Sequence, residues 1–127
     1  KTFIKEKSAM GDLETDFLTP LKSSFQDLEE ALNFFLENGI KNPNSALAGA
    51  SDFLHLLGTF CTGFMWAKMV ASLLEKNDSS EAGKNFKYAK IITGKFYMEN
   101  ILPKTSYLAI KIKAGDKTIM SLEKDQF

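Results

Sequence analysis

Apolar residues in the first part of the chain recur at intervals of three and four between Met10 and Leu36. This spacing lines one face of an α-helix, and charged and polar side chains fill the positions between. The apolar positions are Met10, Leu13, Phe17, Leu21, Phe25, Leu28, Leu32 and Phe35. Pro20 interrupts the region without shifting the stripe. Two structures therefore remain open: a helix that begins with Thr19 as its N-cap, and a continuous helix kinked at Pro20.

A second helix is predicted from Asn42, a favourable N-cap residue, through Pro43 to about Lys76. Apolar residues occupy nearly every side of this helix, which is typical of the central helix of a bundle. Small residues punctuate it, and we interpret Gly58 and Gly63 as points where another helix packs closely.

Turn-forming residues separate the long helices. Asn38-Gly39 is expected to end the first helix in a left-handed cap. Asp78, followed three residues later by Glu81, resembles a capping box and predicts the start of a third helix that runs to about Leu102. Pro103 either kinks or ends that helix.

A further helical run is predicted over 105–113, with Gly115 as its C-cap and Asp116 as the cap of a last short helix through Leu122. No strand-like alternation is long enough to build a sheet. The predicted fold is therefore all-α, an up-down bundle of three long helices plus a short C-terminal helix, with kinks open at Pro20 and Pro103.

The charge balance excludes the common electrostatic binding surfaces. The chain has 16 basic and 16 acidic residues, so its formal net charge is zero. A neutral domain lacks the basic surface that nucleic acids or anionic lipids require. Every basic residue is a lysine, which removes the two-pronged arginine contact often used for phosphate. We therefore expect no nucleic-acid partner.

The apolar stretch over 53–74 is long enough to cross a bilayer. It contains His55, Thr59 and Lys68, however, and positively charged flanks are missing. Because a charge near the bilayer centre is costly, the sequence favours the central helix of a soluble bundle over a membrane span.

The residue set does not support a catalytic centre. His55 is the only histidine and Cys61 the only cysteine, so neither a metal site nor a nucleophilic triad can be assembled from this chain. We interpret Asp52 and His55 as an isolated pair, and Cys61 as a buried, unreactive packing thiol. The carboxylates at Glu29-Glu30 and over 123–125 are interpreted as solvated. The sequence therefore predicts no catalytic, cofactor-binding or metal-binding residue.

Three segments in the second half form a distinctive pattern: GFMWAKM over 63–69, GKFYMENILP over 94–103, and the closing Gln126-Phe127. Over about 43–127, the pattern resembles the C-terminal extension of long bacterial acyl-CoA dehydrogenases, in a subgroup similar to methylthiopropanoyl-CoA dehydrogenase. Four residues match the pattern and are candidate interface residues: Trp66, Lys95, Tyr97 and Pro103.

The resemblance implies a parent flavoenzyme that uses FAD to oxidise an acyl-CoA thioester to the trans-2-enoyl form. Its flavin pocket and catalytic carboxylate would belong to upstream domains. This chain would then be one cytoplasmic helical domain over 1–127, with 1–10 as a linker and no cofactor of its own. Expected partners are the upstream catalytic core of the same polypeptide and further copies of the chain, because a domain cut from its core exposes an apolar face. The alternative is a membrane-surface or partner-binding helical module.

Overall fold

The computed structural model describes residues 13–127 as helices joined by turns, with no strand in this range. The predicted all-α fold is confirmed. The predicted linker over 1–10 lies outside the described residues. The elements are a π-helical turn Leu13–Leu18, α1 Thr19–Asn38, α2 Pro43–Glu75, α3 Glu81–Asn100, α4 Lys104–Lys113 and a 3₁₀ turn Lys124–Gln126.

Pro20 lies inside one continuous helical segment. Proline has no N–H to donate to the preceding turn, so a regular α-helical hydrogen bond is missing at this point. The chain before it is wound as a wider π-helical turn, a rare conformation that occurs mostly as single turns within helices. The Thr19 hydroxyl donates to the Glu14 carbonyl at 3.0 Å within that turn. The continuous helix is thus the observed alternative, and Thr19 is not its N-cap.

The two glycine caps have different conformations. Gly39 follows α1 with φ −62°, a right-handed conformation, so the predicted left-handed cap there is wrong. Its amide continues the helical pattern by donating to the Phe35 carbonyl at 2.8 Å. Gly115 follows α4 with φ 68°, and no other residue among those described has a positive φ. The predicted C-cap at Gly115 is confirmed.

Asp116 connects the end of the bundle to the start of α2. Pro43 is the first residue of α2, as predicted, but the Asn42 side chain does not cap the helix. It donates to Asp116 Oδ1 at 2.9 Å, and the Ser45 hydroxyl donates to the same oxygen at 2.7 Å. The predicted helix from Asp116 to Leu122 is not formed, because 117–120 are turns and 121–123 are irregular.

The start and end of α3 are set by local chemistry. The Ser80 hydroxyl caps the helix by accepting from the Gly83 amide at 3.0 Å. Asp78, the predicted cap, instead accepts from the Ser80 amide at 2.9 Å, and its hydrogen bonds with Ser80 lower its pKa. The helix ends at Asn100, and Pro103 lies in the turn before α4. Pro103 therefore ends a helix and does not kink one.

Two apolar clusters form the core. The first lies where α2 and α3 meet the π-helical turn and contains Phe17, Ala67, Val70, Tyr97, Met98 and Leu102. The second lies between α1, α2 and α4 and contains Ala31, Leu56, Leu108, Ala109 and Ile112. Both clusters use only the inward side of α2. The packing of α2 against all three other helices is consistent with the predicted bundle.

Candidate interaction surface

The structure leaves one side of α2 in solvent. Its buried residues lie on the opposite side, toward the two core clusters. Eight of the exposed residues recur at helical spacing and form what we call the α2 stripe: Leu47, Ala50, Leu54, Leu57, Gly58, Cys61, Met65 and Lys68. The polar residues Ser51, His55 and Thr62 are exposed beside the stripe. The prediction that α2 is buried on nearly every side is therefore wrong for this side. Leu54 shows this most directly, with 68% of the residue exposed.

The middle of the α2 stripe carries no formal charge. No Asp, Glu or Lys occurs over 53–67, and the ionisable groups in that range are those of His55 and Cys61. Asp52, just before it, is paired with Lys111 of α4 at 3.2 Å, which raises the lysine pKa. A long helix side without charges is unusual on a soluble monomer, and such surfaces commonly bind a partner.

The apolar surface extends from α2 onto α1. The Phe25 ring of α1 lies 5.7 Å from the Phe60 ring of α2, centroid to centroid. Phe25 is itself exposed, and so are Leu32 and Leu36, which follow it at helical spacing on α1. We call Phe25, Leu32 and Leu36 the α1 edge. The α2 stripe and the α1 edge together make a surface two helices wide.

The two glycines inside α2 have opposite environments. A Cβ built on Gly63 would lie 2.8 Å from Leu102 Cδ1, so the predicted close packing is confirmed there. A Cβ built on Gly58 would meet nothing within 4 Å, so the same prediction is wrong for Gly58. Cys61 is also exposed, which corrects its interpretation as a buried thiol.

The four residues singled out by the sequence pattern lie in the region around α3. Trp66 packs against the first core cluster, which includes Tyr97. The Tyr97 hydroxyl donates to the Thr59 carbonyl at 2.7 Å, and burial raises the pKa of this phenol. Lys95 pairs with the Asp16 carboxylate at 3.0 Å, and Pro103 lies in the turn after α3. The structure thus places Trp66 and Tyr97 at the same core cluster but does not gather all four residues into one pocket.

Two depressions accompany these surfaces. An open groove of about 300 Å³ lies between the C-terminal part of α2 and the N-terminal part of α3, lined by Lys68, Met69, Ser72, Leu73, Lys76, Phe86 and Lys90. A smaller one of about 120 Å³ lies where α1 meets α4. There the Asp27 carboxylate accepts from the Thr105 hydroxyl at 2.8 Å and from the Ser106 hydroxyl at 2.9 Å. The second depression thus contains an interhelical hydrogen-bond network.

The side chains on these surfaces are suited to binding. Within 13–127, no group of three or more His, Cys, Asp or Glu side chains is placed to hold a metal ion. His55 and Cys61 are both exposed on α2, and Asp52 is engaged with Lys111. Glu30 of the Glu29-Glu30 pair binds the Lys113 ammonium. Asp52 and Glu30 therefore make surface ion pairs between helices, whereas the exposed side of α2 is mainly apolar.

One helix in the described range, α2, is long and apolar enough to cross a bilayer by length and composition. The core helix of a soluble protein satisfies the same two criteria. Only 22% of the most apolar part of α2 is buried inside the bundle. The rest of that part is half-buried or exposed.

Comparison with known families identifies the domain. A family model described as acetyl-CoA dehydrogenase C-terminal like matches residues 1–123. The chain belongs to that family. Membership in the acetyl-CoA dehydrogenase C-terminal-like family supports an accessory domain of an acyl-CoA dehydrogenase-type enzyme, associated with a catalytic core in the same chain. A search of curated proteins finds no match.

The sequence reasoning missed the exposed surface of this acetyl-CoA dehydrogenase C-terminal-like domain. The spacing of Leu47, Leu54 and Cys61 at intervals of seven was present in the sequence. That signal separates one helix side from another but does not say which sides meet a neighbour. Only the positions of α1, α3 and α4 around α2 show that this side is exposed.

Proposed function

We propose that this chain is the C-terminal accessory domain of an FAD-dependent acyl-CoA dehydrogenase. In this proposal, the upstream core carries out α,β-dehydrogenation of an acyl-CoA thioester, and the helical domain supplies no catalytic group. The observation that carries the proposal is the family match over 1–123. The sequence pattern around Trp66 and Tyr97 supports the methylthiopropanoyl-CoA dehydrogenase-like subgroup as the parent. The localisation that accompanies this role is cytoplasmic.

The proposed partners are the catalytic core of the same polypeptide and further copies of the chain. Two separate apolar surfaces support two contacts. One consists of the α2 stripe and the α1 edge. The other lies on the outer side of α3, where Tyr88, Ile92 and Phe96 are exposed at helical spacing. We assign the α3 surface to the catalytic core, since Lys95 of the family-like pattern lies on this helix and Trp66 packs beside it at Gly94.

The first experiment is to sequence the gene upstream of the Lys1 codon. The proposal expects a continuous reading frame long enough for a catalytic core of several domains, at ordinary sizes of about 100–150 residues each. A start codon immediately before Lys1 would contradict it, because no core would then be joined to the domain.

The second experiment tests the division of labour in the whole polypeptide. The parent is purified with and without residues 13–127, and flavin absorbance and acyl-CoA-dependent electron transfer are measured. We expect flavin to remain with the upstream core, and the 127-residue chain to be colourless and inactive. Flavin bound stoichiometrically to the isolated chain would refute the proposal. The variant Phe96→Glu should detach the domain from the core and make it more sensitive to proteolysis. The control Ile110→Glu, at an exposed position of α4, should not.

A second candidate function is association with a membrane surface. The length, composition and exposure of α2 favour it. The formal net charge of zero argues against it, because amphipathic helices that bind anionic bilayers usually carry a basic face. Flotation with vesicles of neutral and of anionic lipid at low salt separates this candidate from the first. Protein that stays at the bottom of the gradient in both cases removes it.

A further inference from the structure

We propose that the α2 stripe binds the α2 stripe of a second copy of the chain. In this arrangement the two α2 helices run antiparallel, and the two-fold axis passes between Leu57 and Gly58. The inference rests on the proposed function, which expects further copies as partners, and it adds the surface, the direction and the register. A two-fold axis makes the same residues meet on both copies, so the stripe has to be complementary to itself.

The order of large and small residues along the stripe meets this condition. With the axis between Leu57 and Gly58, Leu57 of one copy faces Gly58 of the other. One helical turn away, Leu54 faces Cys61 of the second copy. One further turn away, Met65 faces Ala50 of the second copy. Each of these layers sets a large side chain against a small one, which lets two helices approach closely without overlap or cavities.

Gly58 supports the position of the axis. Glycine inside a helix costs about 1 kcal/mol relative to alanine, so an internal glycine usually has a packing reason. Gly63 has such a reason in its contact with Leu102, but Gly58 has none within the described chain, because a Cβ there meets nothing within 4 Å. A second helix at the crossing point supplies the missing reason.

The available area agrees with a dimer that uses both named surfaces. From Leu47 to Lys68, the stripe is about 32 Å long at a rise of about 1.5 Å per residue. At a helix diameter of about 10 Å, it covers roughly 300 Å² per copy. The α1 edge, from Phe25 to Leu36, is about 17 Å long and adds roughly 170 Å², which gives about 470 Å² per copy and about 940 Å² in total. This value is in the range of weak or transient interfaces, so we expect a dimer that dissociates on dilution.

Charge also favours a second copy. The region over 53–67 has no Asp, Glu or Lys, so the centre of the pair buries no formal charge on either side. At its ends, the antiparallel direction sets Leu47 of one copy against the aliphatic stem of Lys68 of the other. The ammonium at the end of that stem can remain in water.

Cysteine crosslinking tests the register. Leu54 and Cys61 of one copy are two helical turns apart, about 10 Å along the axis, so a thiol introduced at position 54 cannot form a disulfide with Cys61 of the same helix. In the proposed register the two positions face each other across the axis. The variant Leu54→Cys is therefore expected to oxidise to a covalent dimer on a non-reducing gel. The native chain and Leu47→Cys have their thiols about 10 Å from any partner thiol and should stay largely monomeric on the same gel.

Light scattering of the 127-residue chain tests the surface. We expect the native chain to be a dimer, and Leu54→Lys to weaken the dimer at least tenfold. Ile110→Lys is the matched control, because Ile110 on α4 is 68% exposed, as is Leu54. This control should remain a dimer. Circular dichroism confirms that both variants fold.

Two light-scattering results would overturn the inference: a native chain that is monomeric at all concentrations, and equal weakening of the dimer by Leu54→Lys and Ile110→Lys. Equal disulfide formation by the native chain, Leu54→Cys and Leu47→Cys would also overturn it. So would a chain that forms no dimer but floats with vesicles and loses this flotation in Leu54→Lys. A different measurement, the length of the upstream reading frame, shows whether the proposed function fails. If no upstream core exists and the Leu54→Cys variant still crosslinks through Cys61 of a second copy, the dimer stands without the proposed function.

Discussion

Gly94 of α3 is one of two buried glycines, with Gly63, that have almost no space for a side chain. A Cβ built on Gly94 would lie 2.8 Å from Phe17 Cε1 and 3.2 Å from Trp66 Cε3. The Phe17 side chain is almost completely buried, and both rings are rigid groups. We therefore expect Gly94→Ala to destabilise the protein, although alanine is the better helix former. Gly58→Ala is the matched control, since the same methyl group there enters open space.

The magnitude follows from two opposing effects. Replacing glycine with alanine inside a helix stabilises it by about 1 kcal/mol, and this gain is common to both variants. At Gly94 the new methyl group is roughly 0.7 Å inside the optimal carbon–carbon distance of about 3.5 Å. Overpacking of this kind costs about 1–3 kcal/mol. Because the helix gain cancels between the variants, the free energy of unfolding of Gly94→Ala should be about 1–3 kcal/mol below that of Gly58→Ala.

Urea unfolding followed by circular dichroism measures this difference. It is performed at protein concentrations where light scattering reports a monomer, so that a change in association does not contribute. The two variants should unfold with the same dependence on urea, and Gly94→Ala should have the lower midpoint. Equal midpoints, or a higher midpoint for Gly94→Ala, would refute the close approach of Phe17 and Trp66 to this helix.

Three further predictions concern polar side chains. Ser24 is 2% exposed and its hydroxyl has no hydrogen-bond partner. Ser24→Ala should therefore raise the free energy of unfolding, measured by urea titration, by about 1 kcal/mol. A lower free energy of unfolding for this variant would contradict the burial of an unpaired hydroxyl. Asp27→Ala should lower the free energy of unfolding by about 1–2 kcal/mol, because the Thr105 hydroxyl loses its carboxylate partner. The double variant Asp27→Ala with Thr105→Val should lose less free energy of unfolding than the sum of the two single variants. The Ser45 hydroxyl, more than other contacts, holds the pKa of Asp116 below its ordinary value of about 3.9. The ionised carboxylate therefore stabilises the fold above that value, and this contribution disappears as pH falls through the lowered pKa. The midpoint of thermal unfolding is measured at about pH 7 and about pH 3. It should fall less in acid for Asp116→Asn than for the native chain, and an equal fall in both proteins would contradict the assignment.

The helices themselves were predictable because their signals are local. Pro43 at the start of α2 and Gly115 after α4 follow from covalent constraints that act within one turn. For Pro103 the same constraints left a kink and a helix end open, and the structure shows a helix end. The lack of strand-like alternation likewise determined the all-α class. Family membership was also accessible from the sequence, because the matching pattern is a property of residue order.

Local signals were insufficient where two partners compete for one group. Asp116 has the side chain of a helix cap, yet it binds Asn42 and Ser45, which are more than seventy residues away in the chain. Ser80 caps α3, where the sequence favoured Asp78, because both residues offer an oxygen to the same free amides. The geometry of the turn decided between them.

The candidate surface depended on tertiary structure most of all. Gly58 and Gly63 occupy the same kind of sequence, but only Gly63 faces Leu102. Likewise, Cys61 and Leu56 are both apolar positions on α2, and only Leu56 is buried. A helix that is apolar on every side does not itself determine which side is covered. The sequence determined that α2 is a long apolar helix. The packing of α1, α3 and α4 decided which side became core and which was left for a partner, because burial depends on the positions of neighbouring helices.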